Sequence, residues 1–441
     1  MSVFYSDDSV VVHHGDCLDV IATMEAESID AVVCDPPYGL ANTDPRHVIA
    51  TLGRWLAGER DYLPGGSGFM GKAWDAFVPP PAVWDECLRV LKPGGHLLAF
   101  AGSRTQGLMD LSIRLAGFDI RDGIAWLYAS GFPKSHDVSK AIDKGEGIWR
   151  GRAGAVMSEN GSMSAANYER TPKGDPVTES ARRWQGWGTA LKPAFEPVVM
   201  ARKPLAGTVA ANVLAHGTGA LNIDGCRIGA GEGDYSHSGN DNHKTDGAWT
   251  GGGKYANAGR QVEPHALGRW PANVVLDEDQ AAALDEQSGQ SSSRQGINRR
   301  GATTGTSIGG GAAFSKAAPQ EVVSGHDDDG GASRFFYVAK ADQGERIRHD
   351  GIAHPTVKPL DLMRWLVRLV TPPGGVVLEP FAGSGTTVEA CVLEHFRCVA
   401  VEREADYLPL IVQRINRRRN PVAYLTTAGD DLGLFADEGA A

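Results

Sequence analysis

Cysteine is scarce in this chain, and the cysteines are widely spaced. The six, at positions 17, 34, 87, 226, 391 and 398, form no Cys-x-x-Cys pair. This spacing argues against a disulfide scaffold or a zinc-finger module and predicts a reduced, cytoplasmic setting. His13, His14 and Cys17 form too sparse a set for a zinc site, so we predict no bound metal.

Long apolar runs are lacking as well. No run approaches the ~20 residues that a membrane-spanning helix needs. We also expect no signal peptide, because the first residues do not combine a basic segment with an apolar core. With 42% hydrophobic and 22% charged residues among 441, the composition is typical of a globular protein of one large domain or two to three ordinary ones.

An excess of positive charge is the third absence. Lysine and arginine number 43 against 54 aspartate and glutamate residues, which gives a formal net charge of -11. Nucleic-acid binding depends on local basic patches rather than on the sum, and residues 131–215 carry only a mild basic bias. Charge therefore neither excludes nor supports a nucleic-acid partner.

Strand-like and helical patterns alternate from residue 9 to about residue 130. Val10–Val12 and Ile29–Cys34 read as strands, and Ala82–Leu91 reads as a helix that Lys92-Pro93-Gly94-Gly95 ends before a strand at His96–Phe100. Such alternation is typical of a parallel sheet covered by helices.

The alternation of strand-like and helical patterns is absent between residues 131 and 330, where glycine, serine and asparagine are frequent. So much irregular chain within one domain is improbable, so we predict a loop-rich insertion at 131–330. An α/β domain would then comprise residues 1–130 and 331–425, and residues 426–441 would form an acidic tail.

A glycine-rich turn follows the strand-like Val376–Leu378, and a helix is predicted after it. In a parallel sheet, such a turn directs backbone N–H groups toward a ligand at the carboxyl edge. No lysine follows Gly385, as a phosphate-binding P-loop requires, and Val388 stands where a dinucleotide fingerprint has its third glycine. A tight turn without a ligand stays open for this motif alone.

Glu402 makes an adenosine ligand the better interpretation. It ends the strand-like Cys398–Val401, about twenty residues after the glycine turn. An acidic side chain at the tip of the neighbouring strand can accept hydrogen bonds from both ribose hydroxyls.

Asp35-Pro36-Pro37-Tyr38 follows the strand-like Ile29–Cys34 and has the chemistry to hold a planar amine. The amino group of adenine or cytosine is a poor nucleophile, because its lone pair is delocalised into the ring. The Asp35 carboxylate and the Pro36 carbonyl can accept its two N–H bonds, and two prolines hold that backbone rigidly. Tyr38 would stack on a base flipped out of the duplex. An ordinary turn is the alternative, and Cys34 is better explained by core packing than as a nucleophile.

Together these residues resemble the DNA amino-methyltransferases of the β arrangement, in which the catalytic motif precedes the recognition region and the cofactor motif comes last. The resemblance covers roughly residues 9–140 and 330–420. In the family's order, its motifs are Gly15-Asp16-Cys17-Leu18, Asp35-Pro36-Pro37-Tyr38, His354-Pro355-Thr356-Val357-Lys358-Pro359, Phe381-Ala382-Gly383-Ser384-Gly385-Thr386-Thr387 and Glu402. The chain also resembles phage and prophage members of the family in three further motifs: Gly131-Phe132-Pro133-Lys134, Lys192-Pro193-Ala194-Phe195-Glu196-Pro197 and Gly268-Arg269-Trp270-Pro271-Ala272-Asn273.

The resemblance implies a doubly wound Rossmann-like fold, S-adenosylmethionine as the methyl donor and double-stranded DNA as the substrate. It implies catalytic roles for Asp35, Pro36, Pro37 and Tyr38. The residues that it places at the cofactor are Asp16, Cys17, Asp35, Thr356, Lys358, Glu379, Phe381, Gly383, Ser384, Gly385, Thr386, Thr387 and Glu402. Asp16 would face the adenine, and Lys358 with Thr356 would lie near the methionine end. Family members usually carry aspartate where Glu379 stands, so we expect cofactor binding to survive, though more weakly.

The motif begins with aspartate in most adenine enzymes of the family and with serine in many cytosine enzymes, so Asp35 favours adenine N6 over cytosine N4. A catalytically inactive DNA-binding relative is the alternative from another class. The insertion is the candidate for target recognition. Its candidates for contacts with phosphates or guanine edges are Arg182, Arg183, Arg202, Lys203, Arg299 and Arg300, with ordinary solvated side chains as the alternative for each. Trp184 and Trp187 are predicted in its core rather than as base-stacking wedges. A homodimer and a cognate restriction enzyme are partners that the family suggests and that the chain itself does not mark.

Overall fold

The structure is a computed structural model that describes residues 1–41, 44–66, 68, 75–129, 131, 135–148, 150, 174–229, 268–293, 296–300, 320–324, 328–340 and 343–419. The predicted acidic tail, 426–441, lies outside the described residues, as do 230–267 and 301–319. Arg299 and Arg300 lie on a described strand, but their side chains are not described.

The strands are β1 Ser2–Ser6, β2 Val10–His14, β3 Ile29–Cys34, β4 Leu91–Phe100, β5 Asp119–Leu127, β6 Phe195–Arg202, β7 Val274–Asp277, β8 Ser291–Ser293, β9 Gly296–Arg300, β10 Gln320–Ser324, β11 Asp328–Gly330, β12 Tyr337–Ala339, β13 Val376–Glu379 and β14 Arg397–Glu402. The α-helices are α1 Cys17–Ile21, α2 Pro45–Leu56, α3 Pro81–Val90, α4 Gln106–Leu115, α5 Val138–Gly145, α6 Glu179–Arg183, α7 Val209–His216, α8 Glu278–Ser288, α9 Leu360–Val370, α10 Thr386–Leu393 and α11 Leu408–Arg419. None of the described helices is long and apolar enough to cross a membrane.

Ten of these strands form one sheet in the order β1-β2-β14-β13-β3-β4-β6-β5-β7-β12. The central strands β2, β14, β13, β3 and β4 run parallel, while β6 pairs antiparallel with both β4 and β5. The strand before the glycine turn, β13, therefore lies beside β3, the strand before the Asp-Pro-Pro-Tyr motif. The predicted α/β sheet is confirmed.

Both faces of this sheet are covered, as the alternation along β3 shows. Ala31 and Val33 belong to a buried cluster that includes most of α9, whereas Val32 and Cys34 belong to a second one that includes side chains of α3 and α4. Successive strand residues point to opposite faces, so a strand buried on both sides needs apolar residues at every position. Cys34 is fully buried in the second cluster, as predicted, and burial raises the pKa of its thiol well above the ordinary value.

The entry into β4 differs from the sequence prediction. Lys92-Pro93-Gly94-Gly95, predicted to separate helix from strand, lies within β4, because Leu91 already pairs with Ile29. The register shifts before Ala31 meets His96, and this irregularity accommodates the extra residues. Gly94 has φ +78°, and a Cβ there would come within 2.5 Å of Asn212 Nδ2.

Part of the interval 131–330 belongs to the sheet. β6 and β7 contribute two of its strands, and the residues from Phe195 onward belong to the same compact unit as Met1–Tyr128. Residues Ala129–Ala194 form the other unit. The whole interval was predicted to be irregular because β6 is a single buried strand between loops, without the periodic neighbours that mark a β-α repeat.

Two predictions about side chains in this interval are wrong. Trp184 and Trp187 are 42% and 60% exposed, not core, because the short helix α6 before them buries only Ala181. Arg202 is nine-tenths buried at the end of β6, and Lys203 Nζ donates to the Leu91 carbonyl at 2.7 Å, so both side chains are committed within the protein rather than presented to DNA.

Candidate functional site

Carboxylates stand at the ends of three neighbouring parallel strands. Glu379 ends β13 and Glu402 ends β14, while Asp35 directly follows β3. Because these strands are parallel and adjacent, the three acidic residues lie on the same edge of the sheet. Ligands of open α/β sheets bind at this carboxyl edge.

The Asp-Pro-Pro-Tyr turn is held by a carboxylate that the sequence analysis did not single out. Asp75 Oδ1 accepts the backbone N–H groups of Tyr38 at 3.0 Å and Gly39 at 3.2 Å. Gly39 has φ +62°, and a Cβ there would lie 2.4 Å from the backbone of Phe77. Only glycine fits this close approach. The close packing of Gly39 against Phe77 therefore helps to hold the turn at the end of β3.

Lys358, from the C-terminal part of the chain, contacts Asp35 in the N-terminal part. Its buried ammonium donates to Asp35 Oδ2 at 2.6 Å and lies 3.3 Å from Glu196 Oε2. Burial acts to lower the pKa of Lys358, but the carboxylates of Asp35 and Glu196 outweigh it, so the net shift is upward. The lysine is thus a permanent cation between two carboxylates.

Tyr38 joins the same group through its hydroxyl. The O–H donates to Glu196 Oε2 at 2.8 Å, and Lys358 Nζ lies 5.4 Å from the centre of the Tyr38 ring. Burial, followed by the nearby charges of Asp35 and Glu196, raises the pKa of Tyr38 well above the ordinary value. The hydroxyl therefore remains a donor.

The glycine turn between β13 and α10 requires its glycines. Gly383 and Gly385 have φ of +52° and +84°, in the left-handed region that favours glycine. A Cβ on Gly383 would lie 3.0 Å from His354 Nε2, and one on Gly385 would lie 3.0 Å from the backbone of Ile411. His354 and Lys358 belong to one segment, so the glycine turn and Asp35 both border it.

Glu402 and Glu379 are carboxylates held in low-dielectric surroundings. Glu402 accepts the N–H groups of Gly383 at 2.6 Å and Glu404 at 2.7 Å, yet burial raises its pKa to about 7. Glu379 accepts from the Phe381 N–H and the Thr387 hydroxyl, and burial raises its pKa to about 8. A nearby cation would favour ionisation of both groups.

The remaining residues predicted at the cofactor occupy the same edge. Asp16 caps α1 by accepting the Leu18 N–H at 3.0 Å and lies 3.5 Å from Arg403, and Cys17 begins that helix. Burial raises the pKa of the Cys17 thiol to about 12, which argues against nucleophilic chemistry. Thr356 is exposed beside His354. Phe381, Ser384, Thr386 and Thr387 follow β13 and begin α10.

Besides Asp75, two polar residues that organise the site were not predicted from the sequence. Glu196 belongs to the motif Lys192–Pro197, in which the chain resembles phage and prophage members of the family and to which no role was assigned. Arg414 in α11 is fully buried and donates to the Ser384 carbonyl at 2.8 Å, so it stabilises the glycine turn from the protein interior. A charged residue in an amphipathic helix gives no sequence signal of burial, whereas the Glu196 motif could have prompted a search for a partner.

The residues at this edge fit an adenosine cofactor such as the S-adenosylmethionine that the resemblance implies. The turn exposes backbone without Cβ atoms, and each Glu402 oxygen that accepts one N–H retains a lone pair for a ribose hydroxyl. Among the described residues, no cluster of histidine, cysteine, aspartate or glutamate could hold a metal ion.

Comparison with known proteins gives the following matches. The chain is 24% identical over 228 residues to the type II methyltransferase M.HindIII of Haemophilus influenzae, an alignment that covers 48% of this chain and 64% of that protein. It is 42% identical over 67 residues to the type II methyltransferase M.SmaI of Serratia marcescens, covering 15% of this chain and 23% of that one. The chain thus spans less than two thirds of the length of these relatives.

Similarity to solved structures is low. The PvuII DNA methyltransferase (cytosine-N4-specific) shares 12% sequence identity over 93% of this chain and 88% of that one, at a TM-score of 0.39, which carries no argument about function. The family model described as DNA methylase, in contrast, matches residues 29–413, which include every motif discussed above except the first. The chain therefore belongs to the DNA methylase family, the S-adenosylmethionine-dependent amino-methyltransferases of the adenine-N6 and cytosine-N4 type.

Proposed function

We propose that this protein transfers the methyl group of S-adenosylmethionine to the exocyclic 6-amino group of adenine at a specific site in double-stranded DNA. The observation that carries the proposal is the position of Asp35, at the end of a strand beside β13 and linked by Lys358 to the segment that borders the glycine turn. Aspartate as the first motif residue supports adenine over cytosine.

Positioning supplies most of the catalysis in this proposal, because the bound cofactor provides an already activated methyl on a sulfonium sulfur. Asp35 and the Pro36 carbonyl accept the two N–H bonds of the target amine and draw its lone pair out of the ring. That lone pair would form the new N–C bond as the S–C bond of the cofactor breaks, with the bonding electrons left on sulfur. The methylated nitrogen is then acidic and releases its proton to water, so no strong base is needed.

Methylated nucleosides test the proposal directly. Plasmid DNA from cells that express the protein is digested and analysed by mass spectrometry, and methylation-aware sequencing locates the modified site. We expect N6-methyladenine at one recognition sequence. N4-methylcytosine would assign cytosine instead, and unmodified DNA that the protein still binds would indicate an inactive relative.

Cofactor binding is expected to weaken as the pH falls through about 7. Ribose hydroxyls and the cofactor's positive charge favour ionised Glu402, so binding lowers the pKa of this carboxyl from about 7. Below that pH the free protein must first lose a proton, so affinity falls; above it, no such cost exists. Titration calorimetry should show about tenfold tighter binding at pH 8 than at pH 6.

Glu402→Gln should bind the cofactor more weakly than the wild type at pH 8 and depend less on pH, with Glu379 responsible for the remainder. Asp406→Asn, which removes an exposed carboxylate a few residues away, is the matched control and should follow the wild-type profile. An unchanged pH profile in Glu402→Gln would count against the ribose role.

We propose the unit 129–194 as part of the DNA-recognition region. Its buried Asp143 pairs with Arg150 at 2.7 Å and accepts the N–H groups of Val177 and Thr178, which fixes the start of α6. At the end of α6, Trp184 and Trp187 contact edge to face with centroids 5.0 Å apart. Exposed aromatic rings beside α6, which carries Arg182 and Arg183, suit stacking on bases together with phosphate contacts.

Trp187→Ala is therefore expected to weaken DNA binding about tenfold, the loss of one base-stacking contact. Fluorescence anisotropy with a labelled duplex that contains the recognition sequence measures it. Phe4→Ala, an exposed aromatic on the edge strand β1, is the control and should bind as tightly as the wild type. Equal affinities for all three proteins would remove this surface from the recognition region. The cytoplasmic setting, the homodimer and the restriction-enzyme partner stay predictions.

A further inference from the structure

Glu196 is an acidic residue of the site that has no role in the methyl transfer proposed above. It lies on β6, next to β4, and its side chain is 22% exposed. One of its oxygens, Oε2, accepts the Tyr38 hydroxyl at 2.8 Å and lies 3.3 Å from Lys358 Nζ. The same carboxylate oxygen thus accepts from the Tyr38 hydroxyl and lies beside the lysine that pairs with Asp35.

The charges of this group do not cancel. Asp35 and Glu196 are two carboxylates, and Lys358 is their shared cation. Without Glu196, the buried ammonium would have Asp35 as its only partner among these carboxylates and would draw that carboxylate away from other donors. With Glu196, the group retains a net negative charge where a sulfonium methyl and a nitrogen that becomes cationic would meet.

The contact with Tyr38 has a separate consequence. A ring that stacks on a base needs only its faces, which phenylalanine also offers, whereas the hydroxyl bond to Glu196 fixes the angle of the ring. Lys358 Nζ also lies 5.0 Å from the centre of the Phe100 ring, so the ammonium is enclosed between two aromatic side chains and two carboxylates. Such enclosure leaves little freedom for the group to rearrange.

We propose that Glu196 is a positioning residue for methyl transfer, which holds the Tyr38 ring and shares the Lys358 ammonium so that Asp35 can accept the target amino group. This inference rests on the proposed function, since it needs Asp35 and Tyr38 to contact the flipped base. It assigns a role to β6, which contributes to the sheet from within the predicted insertion.

Three variants separate the two contacts. Tyr38→Phe removes the hydroxyl bond and keeps the ring, and Glu196→Gln keeps an acceptor for the hydroxyl but removes the charge near Lys358. Glu196→Ala removes both. Glu286→Gln, an exposed position on α8, is the matched control for loss of a carboxylate.

The measurement is single-turnover methyl transfer to plasmid DNA with enzyme in excess and saturating cofactor. The amplitude reports the active fraction, whereas the rate constant reports base positioning and transfer. We expect rate constants about tenfold lower for Tyr38→Phe and Glu196→Gln, and lower still for Glu196→Ala, with the control unchanged. The double variant Tyr38→Phe/Glu196→Ala should be no slower than Glu196→Ala, because both changes remove the same hydrogen bond.

Reduced amplitude with a wild-type rate constant in Glu196→Gln and Tyr38→Phe would show a merely structural role and overturn the inference. Full activity in these variants, together with strongly slowed transfer by Asp35→Asn, would overturn it while leaving the proposed function intact. Normal transfer by Asp35→Asn would instead contradict the catalytic role of Asp35, and no transfer by the wild type would contradict the proposed function itself.

Discussion

Asp35→Asn should lower the rate constant of methyl transfer by roughly a thousandfold, and Asp35→Ala should abolish measurable transfer. The asparagine has nearly the same shape, but it lacks the negative charge that opposes the developing cation. Its amide NH2 would also face either the Lys358 ammonium or the target amine, and both of these are donors. The loss is therefore electrostatic rather than steric.

Cofactor binding should survive in both variants. Glu196 Oε2 lies 3.3 Å from Lys358 Nζ, so the buried ammonium keeps a carboxylate partner when Asp35 is replaced. Single-turnover transfer measures the first effect and calorimetry with S-adenosylmethionine the second. Asp279→Asn, an exposed position on α8, controls for the loss of a carboxylate, and normal transfer by Asp35→Asn would refute the catalytic role.

Arg414→Met should lower the free energy of unfolding by about 3–5 kcal/mol. Arg414 and Glu389 are both fully buried, and their charges meet at 2.6 Å. Arg414 also donates to the carbonyls of Ser384 at 2.8 Å and Glu345 at 2.6 Å. A methionine fills the volume but leaves these buried acceptors with fewer donors, and it weakens the support of the glycine turn.

Chemical denaturation, followed by fluorescence with and without S-adenosylmethionine, measures this effect. The matched control is Arg418→Met, whose guanidinium contacts the same Glu389 at 2.7 Å but whose side chain is 35% exposed. We expect about 1 kcal/mol or less for the control, because solvent screens an ion pair at the surface. Equal losses for the two variants would show that burial of Arg414 is not what stabilises the turn.

Local patterns predicted the elements that the structure has at both ends of the chain. The apolar run Ile29–Cys34 is β3, and Ala82–Leu91, predicted as a helix, is α3 (Pro81–Val90) with each end one residue earlier. The glycine turn was predicted with its neighbours because the two glycines, the strand before them and the helix after them lie within about twenty consecutive residues.

The places where prediction failed share a cause. β6 was missed because nothing in its own sequence says that it inserts between β4 and β5. Trp184 and Trp187 were predicted to be core from their residue type alone, although burial depends on what packs against them. Glu196 was noticed only as a family motif, since its partners Tyr38 and Lys358 lie more than 150 residues away in either direction.

Local sequence signals alone predict an α/β chain in which an Asp-Pro-Pro-Tyr turn and a glycine turn each follow a strand, because strand, turn and helix signals act over a few residues. The three-dimensional fold is needed to show that Lys358 is shared by Asp35 and Glu196, that β6 belongs to the sheet and that the buried Arg414 contacts the glycine turn. These contacts join residues far apart in the chain, and their free energy depends on strand order and burial, which no local pattern encodes.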